Sequence, residues 1–237
     1  GDSNVAMGYL ALSTETLGDR NVAIGLGALA AQNNTSDTDV YNTAIGYNAG
    51  AAVTTGIQNT LIGGLAGDAL TTGVANVAVG YQALTNEDAN GNNTALGYRS
   101  LKTLNAGATG HNTAVGYNSG TLITTGVQNT FIGSEAGDAL TTGANNVAIG
   151  KDALGGTTTA ANNVAIGVSA LNANVLGASS IAIGLQSLAQ QAPSGAGVMH
   201  NVCVGEKTGF AVTTGVQNTL IGGLAGDALT TGDNNII

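Results

Sequence analysis

One short hydrophobic pattern recurs along the whole chain. A five-residue string, Asn-(Val/Thr/Ile)-x-(Ile/Val/Leu/Met)-Gly, starts at Asn4, Asn21, Asn42, Asn59, Asn76, Asn93, Asn112, Asn129, Asn146, Asn163, Asn201, Asn218 and, cut short, at Asn235. Ser180 opens the one equivalent string without Asn. The second and fourth places alternate with the third, as in Val5/Met7, Val22/Ile24 and Thr43/Ile45, which predicts a short strand burying that face. Ala usually stands third, so the opposite face is closely approached too. Three residues past each Gly comes Ala, Ser or Thr, then Leu or Gly, read as a second strand.

The starts are separated by 17, 21, 17, 17, 17, 19, 17, 17, 17, 17, 21, 17 and 17 residues. A fixed short period is the signature of stacked repeats, because a 17-residue unit cannot close a core alone but can bury its apolar side chains on copies of itself. The pattern therefore predicts an all-β chain, a parallel β-solenoid of about 14 coils forming one repeat domain over residues 1–237. The three longer spacings place inserted loops in coils 26–41, 98–111 and 185–200. Gly closes every complete string, from Gly8 to Gly222, which fits a bend with no room for a side chain. The stacked asparagines are expected to form a ladder of amide hydrogen bonds at one corner.

A covariation supports the register. Some coils carry a large residue after the small one: Leu12, Leu29, Leu84, Leu101, Leu154, Leu171 and Leu188. The others have Gly there and an apolar residue three places on: Val53, Leu70, Ile123, Leu140, Val212 and Leu229. One coil has both Leu101 and Leu104. About three aliphatic side chains per coil make a thin core, so burial of a second face against sister chains is expected. The reading is a homotrimer, with the third-place column (Ala, widened to Leu61, Phe131, Leu220 and Cys203) as its interface.

Composition narrows the function classes. Of 237 residues, 38 are Gly, 8% are charged, 3% are aromatic and none is Trp. Such a chain suits close backbone approach rather than a wide core. Only Arg20, Arg99, Lys102, Lys151 and Lys207 are basic and the net charge is −9, so no phosphate-binding patch for nucleic acid is expected. No apolar run reaches the roughly 18 to 20 residues of a membrane span. The chain starts and stops inside repeats and is read as a fragment.

The strings Asn-Val-Ala-Ile-Gly at 21–25, 146–150 and 163–167 resemble the head repeats of trimeric autotransporter adhesins, although the 17-residue spacing exceeds the usual adhesin unit. The longer units 42–63, 112–133 and 201–222 resemble the shafts of tailed-phage fibres and related viral or surface proteins, whose repeats often precede a self-cleaving intramolecular chaperone. The resemblance spans the chain. It implies a left-handed parallel β-roll, three chains side by side, and attachment to a host cell surface from a virion or an extracellular cell surface. It brings no catalytic residue and no cofactor.

Candidate recognition sites lie in the insertions: Asn33, Asn34, Asp37 and Asp39 in the first, which suit a glycan, and Pro193 in the third. A protein receptor is the alternative. Tyr41, His111 and His200 each close an insertion and either pack it back onto the coil or, for the histidines, line a metal-binding ring in a trimer; no metal site is assigned. Tyr9, Tyr47, Tyr81, Tyr98 and Tyr117 follow the core Gly and either stack on sugars or shield the corner. Asp68, Asp138 and Asp227, in Gly-Asp-Ala-Leu-Thr-Thr-Gly, read as solvated turns. Cys203 reads as an inert buried thiol.

No catalytic constellation or phosphate loop is legible, and features that recur with the structural period argue against a unique active site. The expected function is a trimeric fibre or adhesin shaft or head, not an enzyme. Two alternatives stand: an ice- or surface-binding solenoid, disfavoured because the second-place threonines alternate with Val (Thr43, Thr60, Val77, Thr94) and are read as facing inward, and a polysaccharide depolymerase using paired carboxylates.

Overall fold

A computed structural model describes residues 1–107 and 110–237; Ala108 and Thr109, in the second insertion, lie outside the described residues. Among the described residues there is no helix. The fold is an all-β parallel solenoid of about thirteen turns with the 17-residue period. The chain divides into two compact units, Gly1–Val115 and Gly116–Ile237.

The first unit contains β1 (Val5–Met7), β2 (Gly18–Asp19), β3 (Val22–Ile24), β4 (Thr38–Asp39), β5 (Thr43–Ile45), β6 (Thr60–Ile62), β7 (Val77–Val79), β8 (Thr94–Leu96) and β9 (Thr113–Val115). Seven of these form a parallel ladder in which each residue faces its equivalent one coil away, as Val22↔Thr43, Ala23↔Ala44 and Ile24↔Ile45. The second unit contains β10 (Thr130–Ile132), β11 (Val147–Ile149), β12 (Val164–Ile166), β13 (Gly177–Ala178), β14 (Ile181–Ile183), β15 (Gly197–Val198), β16 (Val202–Val204) and β17 (Thr219–Ile221). Six of them make the same ladder, and a bridge from Thr219 to Ile236 starts a further coil. The 21-residue coils add small two-stranded sheets, β2 with β4 and β13 with β15.

Coil positions are counted from the Asn as position 1. The strand is short because of its flanks. The residue just before each opening Asn or Ser has positive φ, for example Arg20 (60°), Tyr41 (56°) and His200 (52°). Position 5 is Gly with φ between 126° and 142°. A Cβ on Gly80 would come within 2.4 Å of the Gly97 carbonyl oxygen in the next coil, so the bend excludes any side chain. Positions 7 and 9 also take left-handed backbone, as at Gln82 (56°) and Leu84 (54°). A strand cannot continue through such residues. The expected second strand is therefore absent, and residues 81–86 form turns instead.

The strand's inner face is the reverse of the expectation. Position 3 is exposed in the first strand (Ala6) but fully buried from β3 onward: Ala23, Ala44, Leu61, Ala78, Phe131, Ala148, Cys203 and Leu220. Positions 2 and 4 point outward, with Val22, Ile24, Val147 and Ile149 only partly covered and Ile45, Leu96 and Ile132 exposed. The third-place column is thus the core and not a surface for sister chains. The core is so thin that only small residues fit opposite most turns. The larger Leu61, Phe131 and Leu220 occur where position 9 is Gly. A Cβ on Gly67 would meet Leu61 Cδ2 at 2.8 Å, and one on Gly226 would meet Leu220 Cδ1 at 2.9 Å. A large residue at position 3 and one at position 9 compete for one volume; where both are small, as Ala44 with Gly50, Leu61 and Leu29 of the neighbouring coils reach the space.

Position 12 completes the core of the inner coils, while Glu15 and Leu229 in the first and last are only partly covered. Beside Gly at position 9 it is apolar and buried, as with Val53, Leu70 and Ile123. Beside Leu at position 9 it is mostly polar, as with Gln32, Glu87, Thr157, Asn174 and Gln191, all fully buried. These side chains satisfy turn groups. Asn174 Oδ1 accepts from Gly177 N at 2.9 Å and its Nδ2 donates to Gly177 O at 2.7 Å. Glu87 Oε1 accepts from the Asn90 side-chain amide at 2.8 Å.

Candidate functional site

The asparagine column is hydrogen-bonded from coil to coil. Asn59 N donates to Asn42 Oδ1 at 2.9 Å, Asn76 N to Asn59 Oδ1 at 3.0 Å, and Asn93 N to Asn76 Oδ1 at 3.0 Å. In the second unit Asn146 N, Asn163 N and Asn218 N donate to the preceding Oδ1 at 3.0 Å. Most of the Nδ2 groups reach across their own coil to the position-15 carbonyl, as Asn59 to Gly73 O at 2.9 Å and Asn146 to Ala160 O at 3.0 Å, whereas Asn93 Nδ2 donates to Gly91 O at 3.3 Å. Ser180 accepts the same place by its backbone, donating to Asn163 Oδ1 at 2.9 Å. Gln191 Oε1 supplies the missing amide acceptor by taking Asn201 Nδ2 at 2.9 Å. Gln32 does the same for Asn42. Neither glutamine is conspicuous in the repeat; the signal is a buried polar residue ten places before an Asn that follows a long coil.

The outward strand face carries two columns in register. Position 2 alternates Val with Thr (Val22, Thr43, Thr60, Val77, Thr94), and position 4 is aliphatic (Ile24, Ile45, Ile62, Val79, Leu96). Both stand on a hydrogen-bonded parallel ladder. The threonines therefore face outward, which removes the ground on which an ice-binding surface was disfavoured.

The nominated insertion residues separate. Asn34 is buried, with Nδ2 donating to Glu15 Oε2 at 3.0 Å. Asn33, Asp37 and Asp39 are exposed. Tyr41 is half exposed, Arg20 pairs with Asp39, and the Arg20 guanidinium stands 5.6 Å from the Tyr41 ring centroid. His111 and His200 are exposed and Pro193 is partly covered. Val40 and Met199, in the same loops, are buried and tie the insertions to the core. Glu15 Oε1 accepts from Gly18 N at 2.7 Å and Leu17 N at 3.1 Å. Burial alone would raise its pKa, but these bonds and those from Gln32 and Asn34 outweigh it and hold the carboxyl at about 2.

The tyrosines do not shield the corner. Tyr9, Tyr47, Tyr81 and Tyr117 are 47–73% exposed. Tyr81 and Tyr98 stack at 5.8 Å between centroids, and Arg99 lies 5.0 Å over the Tyr98 ring. Asp68 and Asp138 are not solvated turns: both are partly buried, and burial pushes their carboxyls above the usual range. For Asp138 the nearby Glu135 adds to the rise. Asp227 is exposed. Burial pushes the Cys203 thiol up to about 12, so it carries no thiolate at neutral pH.

The described residues enclose no pocket and bring no three His, Cys, Asp or Glu side chains within reach of one metal ion. No family model, curated protein or solved structure matches the chain.

Proposed function

We propose that the chain is part of a homotrimeric attachment fibre or adhesin, a rigid spacer that also presents receptor-binding groups from a virion tail fibre or a cell surface. The observation that carries the reading is the outward face of positions 2 and 4. A parallel ladder whose solvent side is lined by Ile, Val and Leu exposes an apolar strip within each unit, and large exposed apolar patches mark association surfaces. Sister chains covering that strip would give each thin coil the second buried layer its own core lacks. The seam is placed on positions 2 and 4, and no catalytic residue is assigned. Sedimentation velocity and equilibrium of the purified chain test this, with a trimer expected and a stable monomer counting against it.

A second reading, an ice-binding solenoid, is favoured by the same face. Thr43, Thr60, Thr94 and Thr113 project outward at the repeat of the coils, a rigid array of hydroxyl and methyl groups. A thermal-hysteresis assay decides it, since activity in the monomer would replace the fibre reading.

A further inference from the structure

The tyrosines of the first unit form a ruled row. Tyr9, Tyr47 and Tyr81 occupy position 6 of the first, third and fifth coils, with Leu26 and Gly64 between them, and the row ends on Tyr98 of the sixth coil, stacked on Tyr81. Backbone hydrogen bonds lock the row: Gly27 N to Tyr9 O, Asn48 N to Leu26 O, Leu65 N to Tyr47 O and Gln82 N to Gly64 O, at 2.8–3.1 Å. Coils one strand apart are about 4.8 Å apart, so alternate tyrosines repeat at about 10 Å. The Gly at position 5 turns the row off the aliphatic face, leaving it open when that face is covered. Gly64 adds no side chain to the step between Tyr47 and Tyr81, and the Tyr81 ring leans over it, Cδ2 lying 3.5 Å from where a Gly64 Cβ would stand.

We propose that this row binds an uncharged, β-linked linear polysaccharide lying along the coil axis. A β-linked chain with two-fold symmetry presents the same ring face once every two sugars, at nearly the spacing of alternate coils. Exposed aromatic rings supply an apolar platform for the axial C–H face of a sugar. Asn48 and Gln82, at the adjoining position 7, are partly exposed and offer amide groups to its hydroxyls, Gln82 through its NH2 since its Oε1 accepts from Arg99 Nε at 3.0 Å. The net charge of −9 and the scarcity of bases disfavour an anionic glycan. A proline-rich peptide repeats at a similar distance, but it docks in aromatic-lined grooves, whereas these rings stand on an open corner. The inference rests on the attachment reading and names its ligand class.

The test is calorimetric titration of the full chain with cellohexaose and with chitohexaose, with dextran as the α-linked control and decaproline as the peptide control. Binding of at least one hexasaccharide is expected. Each lost ring should weaken it about two- to tenfold, so Tyr47→Ala/Tyr81→Ala should weaken it about four- to a hundredfold. Gly64→Gln should weaken it as well; a Cβ there makes an ordinary 3.5 Å contact with Tyr81 Cδ2, so the variant folds. No binding of either hexasaccharide, unchanged binding in both variants, equal binding of dextran, or binding of decaproline instead overturns the inference. Sedimentation reads the assembly separately, so a trimer that ignores both sugars sinks this inference and leaves the fibre reading standing.

Discussion

Gly137 and Phe131 share one space: a Cβ on Gly137 would lie 2.6 Å from both Cδ1 and Cε1 of the Phe131 ring. The phenyl ring, coming from position 3 of the strand, fills the volume that leucine at position 9 fills in other coils. The pairing is a substitution rule built into the repeat.

Gly137→Leu should destabilise the chain by about 2–5 kcal/mol, from overpacking plus the left-handed backbone at that site. Phe131→Ala/Gly137→Leu should recover most of the loss. The double variant copies a coil already present, with Ala95, Leu101 and Leu104 at the same three positions. Thermal unfolding followed by circular dichroism measures both, and a double variant no better than the single would contradict the shared-space account.

Asn146→Ala removes its side-chain bonds to Asn129 Oδ1 and Ala160 O and the acceptor for Asn163 N. At about 0.5–1.5 kcal/mol each, with buried donors left unpaired, the cost should reach about 2–4 kcal/mol. Exposed Thr142→Ala should stay within about 0.5 kcal/mol. Denaturant titration of the two variants compares them directly.

Much of the fold is legible in the sequence because its causes are local. The period places the coils, and each Gly at position 5 marks a bend where the next coil's carbonyl leaves no room for a Cβ. The inner face is not legible from alternation, since Val, Ile and Ala are apolar on both sides of the strand. The usable signal is longer in range: Leu61, Phe131 and Leu220 appear only with Gly67, Gly137 and Gly226, as two groups sharing an interior volume must. Gln32, Glu87 and Gln191 escape notice for a related reason. Polar residues in a loop pattern read as surface, and only the turn that closes over them makes them interior. The tyrosine row is visible as a recurrence, but its exposure depends on the direction in which the Gly bend turns the chain.

Two carboxylates should move stability in opposite directions with pH. The Glu15 carboxyl is depressed to about 2 in the fold. Its contribution is complete above the ordinary glutamate range and lost as pH falls through about 2, so Glu15→Gln should be less stable than the parent at pH 7 and converge with it near pH 2. Burial raises the Asp68 carboxyl, and its Oδ1 is buried without a partner. A raised acid penalises the fold once ionised, so Asp68→Asn should be more stable than the parent at pH 7 and lose that advantage in mild acid. Melting temperatures at pH 2, 4 and 7 read both signs.

Adjacent residues of β11 should respond to charge in different ways. Ala148 is fully buried, and Asp there places an unpaired carboxylate in the core, so Ala148→Asp should not fold. Ile149 is on the outward face, and Ile149→Asp should keep the β circular dichroism while shifting sedimentation toward the monomer. An Ile149→Asp variant that sediments like its parent would remove the outward seam.

Three residues in each coil, at positions 7 and 9 and at the last position before the next Asn or Ser, hold left-handed backbone, and most are not glycine. Each costs on the order of 1–2 kcal/mol in isolation, so a solitary coil has no reason to form. A finished coil offers the next one a ready template of carbonyls and asparagine side chains that offsets this cost. Assembly is then a zipper: one slow start followed by addition of coils in sequence. A strained corner late in the chain slows completion without preventing the earlier coils from closing.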